Sequence, residues 1–235
     1  MRISFVTLFP EMVTGAIRHS ILKRAEDAGI VTFDTVNPRD FADDPRRTVD
    51  DTPYGGGPGM VMRPDVAGKA IESVVTEGAA VVFTDPAGET FNQMRSSELT
   101  KFKHVIFLCG HYEGMDERIA EKFATHRYSI GDYVLTGGEL PACVMADAVV
   151  RQLPGVLGSK SSLEQDAFVD GLLTNPQYTR PELWEGLQVP EILLSGDHAK
   201  IEKWRRQNRL KATRIMRPDL FARAPLSKED MELLQ

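Results

Sequence analysis

The chain has 235 residues, 42% hydrophobic and 26% charged, enough for one large globular domain or a medium and a small one. No run of about 18 apolar residues occurs, so no membrane-spanning helix is expected, and residues 2–9 lack the basic start, long apolar middle and cleavage site of a signal peptide. A net charge of −6 argues against a general nucleic-acid coat protein, because phosphate binding rests on Lys and Arg.

Residues 3–9 read as a buried strand. Pro10 then opens a helix, where its missing N–H costs nothing. Val13, Ile17, Ile21, Ala25 and Ala28 recur at helical spacing, which predicts one helix over residues 10–28, ended by Gly29. A second strand is expected over 30–36, then a long polar, glycine-rich segment over 37–63. The pattern continues with a helix over 65–76, a buried strand over 79–84, a short helix over 93–101, a strand over 104–109, a helix over 116–124 and a strand over 128–135. Residues 139–152 form a helix apolar nearly all round, expected to be buried. This alternation predicts an α/β fold, a mainly parallel sheet with helices on both faces. Ligands in such folds bind where loops leave the carboxyl ends of strands, here residues 85–89, 110–116 and 136–141.

The pattern breaks down over residues 154–176, where Gly155, Gly158, Ser159, Ser161, Ser162 and Gly171 read as a linker or lid. From about Gln177 the chain looks helical and small, with a last helix near residues 228–234. Residues 200–217 carry eight basic residues against one acid, Glu202, a local charge of +7 that leaves about −13 on the remainder. Such asymmetry points to a local anionic partner. Cys109 and Cys143 form no C-x-x-C pair and sit in apolar contexts, so they read as buried free thiols in a reducing compartment.

Three segments carry possible chemistry. Tyr54-Gly55-Gly56-Gly57-Pro58-Gly59 has G-x-G-x-G spacing, yet no apolar strand precedes it, so a surface loop that approaches a ligand backbone is favoured over a Rossmann-type NAD loop. Cys109-Gly110-His111-Tyr112-Glu113-Gly114-Met115-Asp116-Glu117-Arg118 follows an apolar strand and precedes a helix. A helix start explains Asp116 and Glu117, which favour the positive N-terminus, but not Glu113. The third segment, residues 129–141, has Gly137-Gly138 before the apolar helix. It is either a plain tight turn or a place where N–H groups meet a ligand. No P-loop, H-E-x-x-H or zinc-like cluster occurs, and the five histidines are scattered, each read as structural or solvated.

Taken together, these segments resemble the bacterial tRNA (guanine-N1)-methyltransferase family of the SPOUT superfamily. Asn37-Pro38-Arg39-Asp40, Arg47-Thr48-Val49-Asp50-Asp51, Leu153-Pro154-Gly155-Val156-Leu157-Gly158, residues 175–181 and residues 193–198 extend the resemblance over nearly the whole chain. It implies a methyltransferase domain over 1–158 with a deep C-terminal trefoil knot, an interdomain linker over 159–176, and a small helical tRNA-binding domain over 177–235. General topology rules would have excluded the knot.

The resemblance implies S-adenosylmethionine as methyl donor and N1 of the guanosine at tRNA position 37 as acceptor. It carries cofactor contacts onto Thr84, Pro86, Gly88, Gly110, Tyr112, Glu113, Gly114, Ser129, Ile130, Gly131, Tyr133, Leu135, Gly137, Gly138 and Pro141. Asp166 becomes the general base and Arg151 the stabiliser of charge on guanine O6. By themselves, Arg151 reads as a helix-end dipole partner and Asp166 as a solvated linker residue. A cytoplasmic homodimer with composite sites is implied, with residues 200–217 on anticodon-arm phosphates. Family members are described as magnesium-dependent, and Glu113 is the candidate for metal or cofactor placement. Many members carry arginine at the position of His111. The alternative is an RNA-binding module with a vestigial cofactor pocket.

Overall fold

A run such as Val105-Ile106-Phe107-Leu108-Cys109 can bury both faces only inside a parallel sheet covered on both sides. The computed structural model describes residues 1–158 and 166–235 and divides them into two compact units, Met1–Gly158 and Ser159–Gln235. Of the expected linker, residues 159–165 lie outside the described residues.

The first unit begins with β1 (Arg2–Val6), α1 (Pro10–Ile17), α2 (Ser20–Asp27) and β2 (Thr32–Val36). A 3-10 turn (Pro38–Phe41) leads into the short hairpin β3 (Asp50–Asp51) and β4 (Val61–Met62), then α3 (Pro64–Val74) and β5 (Ala80–Thr90). It continues through α4 (Gln93–Leu99), β6 (His104–Cys109), α5 (Glu117–Phe123), β7 (His126–Ser129) and α6 (Glu139–Val150). Five strands form one sheet in the order β2-β1-β6-β5-β7, every pair parallel.

Alternation at period two builds two cores from the same strands. Ile3, Phe5, Ala80, Val82, Val105, Phe107 and Cys109 point to one side, where α1, α2 and α6 supply Val13, Ile17, Leu22, Met145 and Val149. Val6, Val81, Phe83, Ile106 and Leu108 point to the other, against Val66, Ala70, Ile71 and Val74 of α3 and Ile119 of α5. His104 is structural: its ring nitrogens lie 2.8 Å from Ser4 Oγ and 2.9 Å from Thr76 Oγ1. Both cysteines are free and buried; burial raises the Cys109 thiol well above its usual range and pushes Cys143 up to about 11, so neither is a ready thiolate.

Four expectations need correction. The helix over 10–28 is two helices, because His19 is extended and Ser20 left-handed (φ 52°). That break rotates the second helix so that Leu22 enters the core while Ile21 packs only partly against it. Residues 85–89 are not a free loop. β5 bulges after Thr84 and returns to its neighbour, so that Thr84 and Glu89 both oppose Tyr128. The strand over 128–135 stops at Ser129, whose Oγ accepts from Gly131 N–H at 3.2 Å and donates to Gly131 O at 3.1 Å, folding the chain back. Finally, α6 is not buried all round: Leu140 is 49% and Val144 53% exposed, one turn apart.

The second unit contains a small hairpin, β8 (Leu183–Trp184) and β9 (Leu187–Gln188), absent from the helical expectation, then α7 (Glu191–Leu194), α8 (His198–Met216), α9 (Pro218–Phe221) and α10 (Lys228–Glu232). Leu172, Ile201, Leu210 and Thr213 are its buried centre. Among the described residues no helix is long and apolar enough to cross a membrane.

Candidate functional site

The carboxyl ends of β5, β6 and β7 lie side by side at one edge of the sheet, and the segments leaving them enclose a cavity of about 250 Å³. It is lined by Thr84, Asp85 and Pro86 from the first segment, by Gly110, Tyr112, Glu113 and Gly114 from the second, and by most of residues 128–138 from the third. Fourteen of the fifteen expected contact residues line it: Thr84, Pro86, Gly110, Tyr112, Glu113, Gly114, Ser129, Ile130, Gly131, Tyr133, Leu135, Gly137, Gly138 and Pro141. Gly88 does not. It presses on the neighbouring strand instead, where a Cβ would come within 2.5 Å of Tyr128 N and 2.6 Å of Arg127 C. Asp85, Val134 and Thr136, within the expected loop segments, also line the cavity, as do the strand residues Phe83 and Tyr128, which were not expected.

Local chemistry fixes these segments. After β6 the chain turns through Tyr112 (φ 61°) and Gly114 (φ 118°), closed by Gly114 N–H on His111 O at 3.0 Å. Strand β4 then zips onto this turn: Glu113 N–H donates to Met60 O at 2.9 Å and Met62 N–H to Gly114 O at 2.9 Å. The glycine-rich segment 55–59 is thus the tip between β3 and β4, not a strand-to-helix nucleotide loop. Gly59 there carries the Glu113 side chain, whose Cδ would stand 2.7 Å from any added Cβ. In the third segment Gly138 N–H donates to Gly110 O at 2.8 Å. Its own backbone is ordinary (φ −84°, ψ −4°), so glycine is needed for space: a Cβ would meet Thr84 Oγ1 and stand 2.8 Å from Cys109 Cα. Arg127 secures the first segment, reaching Glu117 at 2.7 Å and Asp85 at 3.3 Å.

The electrostatics are one-sided. Among the described residues the lining holds two carboxylates, Asp85 and Glu113, and no Lys, Arg or His, with Arg127 pairing Asp85 from outside. Its rim is apolar and open, with Tyr133 55% and Val134 89% exposed. Backbone groups held by glycines, two carboxylates and flat apolar walls suit a small cationic ligand with a planar ring.

Arg151 and Asp166 stand in different units. Arg151 closes α6, its N–H donating to Asp147 O at 3.0 Å, and is half-buried. Asp166, also half-buried, is the first residue described after residue 165. Within the second unit much of the basic helix is paired internally. Arg206 binds Asp230 at 2.7 Å and Asp170 at 2.6 Å; Arg209 binds Asp170 at 2.5 Å and Leu173 O at 3.0 Å. Arg205, Lys200 and Arg217 pair with Glu202, Asp197 and Asp219. The Arg206 hydrogen bond pulls the Asp230 carboxyl down to about 2. Burial would raise Asp170, but Arg206 and Arg209 outweigh it and hold it low. Lys211 and Arg214 are exposed and outside these pairs.

Parallel strands that deliver three loops to one cavity at their carboxyl ends define an α/β protein of the ligand-binding class. The sequence profile of the family described as tRNA (Guanine-1)-methyltransferase TrmD matches residues 1–223, and the chain belongs to that family. It is 51% identical over 236 residues to the tRNA (guanine-N(1)-)-methyltransferase of Staphylococcus carnosus and 52% over 235 residues to that of Dictyoglomus turgidum. It is 50% identical over 236 residues to the Staphylococcus aureus protein of the same name. Each comparison covers 100% of this chain and 96% of the relative.

Proposed function

We propose that this chain transfers a methyl group from S-adenosylmethionine to N1 of the guanosine at tRNA position 37, just 3′ of the anticodon. The observation that carries the reading is the convergence of three strand-end segments on one cavity lined, among the described residues, by two carboxylates and no cationic side chain. S-adenosylmethionine supplies an electrophilic methyl group on a sulfonium. Asp85 and Glu113 suit the positive charge of such a ligand, and the glycines let main-chain groups approach its purine and ribose. The glycine-rich segment 55–59 lies between two strands, so it does not supply the strand-to-helix pyrophosphate turn of an NAD site. The relatives' names support a tRNA guanine as acceptor.

N1 of guanine carries a proton at neutral pH and becomes a useful nucleophile only when that proton leaves. Asp166 takes it as general base. Negative charge then moves toward O6, where the planar guanidinium of Arg151 stabilises it. The guanine must leave its stack to be reached. We assign a homodimer in which each site takes Asp166 of the partner subunit; the exposed Leu140 and Val144 on α6 support a self-interface. We also assign the trefoil knot, which the crowding of Gly138 against the Cys109 and Gly110 backbone supports. Among the described residues no three His, Cys, Asp or Glu side chains converge as a metal site. A tRNA substrate places the protein in the cytoplasm.

Incubation of the purified protein with labelled S-adenosylmethionine and tRNA, followed by nucleoside mass spectrometry, tests the reading. Labelled 1-methylguanosine at position 37 is expected. Saturable tRNA binding with no label transferred would instead leave an RNA-binding module with a vestigial pocket.

A further inference from the structure

Behind the cavity wall, two buried polar atoms have no hydrogen-bond partner among the described residues and face each other: His111 Nδ1 and Glu139 Oε2, 3.8 Å apart. Neither residue lines the cavity, yet their chain neighbours Gly110, Tyr112 and Gly138 do. Both groups are held from outside. Glu139 is 1% exposed, and its other oxygen accepts from Thr7 Oγ1 at 2.8 Å, which in turn accepts from Phe9 N–H at 2.9 Å. The His111 ring lies against Phe9, centroids 4.7 Å apart, and its backbone bridges to Gly137. Gly137 keeps the gap clear: a Cβ there would stand 2.5 Å from His111 Nδ1 and crowd Glu139 Oε2. A buried donor and a buried carboxylate oxygen left unpaired carry their full desolvation cost, which a short approach would remove.

We propose that His111 and Glu139 are a positioning pair, closed by occupation of the cavity. A ligand touching both the 110–114 and the 136–138 segments draws them together by about 1 Å, the difference between the observed gap and a charge-assisted hydrogen bond. His111 Nδ1–H then donates to Glu139 Oε2 and fixes Gly137 and Gly138 against the ligand. Because the bond is open without ligand, it contributes to binding and not to the stability of the ligand-free fold. The inference rests on the reading of the cavity as the S-adenosylmethionine site.

The test pairs His111→Phe, which keeps a ring on Phe9 and removes the donor, with His111→Asn, whose amide donor falls near the position of Nδ1. Calorimetric titration with S-adenosylmethionine and thermal melting with and without it are measured for both variants and the wild type. His111→Phe is expected to raise Kd about tenfold or more while the ligand-free melting temperature stays level or rises. His111→Asn is expected to recover most of the affinity. A purely structural histidine would give the reverse: a lower ligand-free melting temperature and an unchanged Kd. Wild-type affinity in His111→Phe, or equal weakening in both variants, overturns the pair and leaves the cavity assignment standing. Failure of the wild type to bind S-adenosylmethionine overturns both.

Discussion

Gly138→Ala isolates the packing of the cavity wall from every other effect. The backbone of Gly138 suits any residue, so the added methyl acts only through space. It would meet Thr84 Oγ1, Cys109 Cα at 2.8 Å and Gly110 N at 2.9 Å. The first could yield by a side-chain rotation, although Thr84 Oγ1 donates to Leu108 O at 3.0 Å and would lose that bond. The other two are main chain at the end of the central strand, where Cys109 pairs with Thr84 and the preceding Leu108 is paired on both sides. The 136–138 segment must therefore move out, breaking the Gly138–Gly110 hydrogen bond. Overpacking of this kind costs about 1–3 kcal/mol, or roughly 2–12 °C of melting temperature for a unit of this size. Affinity for S-adenosylmethionine should fall with it, since the displaced segment lines the cavity. Thermal melting and calorimetry read both. Gly138→Ala with unchanged melting and affinity would refute the claim that glycine is required here for space, and Thr84→Ala added to it should restore only part of the loss.

Asp166→Ala should lower methyl transfer by about 10²–10⁴-fold while S-adenosylmethionine affinity stays level, and unchanged transfer in nucleoside mass spectrometry would remove the assigned base. Lys211→Ala with Arg214→Ala should weaken tRNA binding and reduce its salt slope by about 1 for each cation, with melting unchanged. Arg206→Ala should instead destabilise the second unit by about 1–3 kcal/mol, because the buried Asp230 loses its half-buried partner while Asp170 keeps Arg209; unaltered melting would contradict that division of labour. Asp230, held down to about 2, contributes stability present above its unfolded value near 4 and lost as pH falls toward about 2. That contribution is about 2 kcal/mol, and Asp230→Asn should flatten this part of an acid-denaturation curve.

Much of the first unit was legible because its signals are local. The strand over 104–109 stands where the apolar run placed it, and fourteen of the expected contact residues share one cavity because three loops at strand ends must meet at one sheet edge. Asp85, Val134 and Thr136 lay inside those same segments, while Phe83 and Tyr128 are strand residues that reach the cavity from below and carry no sequence signal. The break at Ser20 was hidden because Ile17 and Ile21 keep helical spacing across it. The partners of Arg206 and Arg209 were invisible for another reason. Asp170 and Asp230 lie 24 to 39 residues away, and a charge run does not reveal how much of it is neutralised within the fold.

Asp170 is also four residues from Asp166 along the chain. A fully extended tether of that length spans no more than about 14 Å. Since Asp170 is clamped to α8 by two arginines, Asp166, the proposed proton acceptor, is leashed to the helix that bears Lys211 and Arg214. On the proposed reading, whatever carries that helix onto an RNA carries the Asp166 carboxylate along, so seating the nucleic acid and delivering the base become one movement.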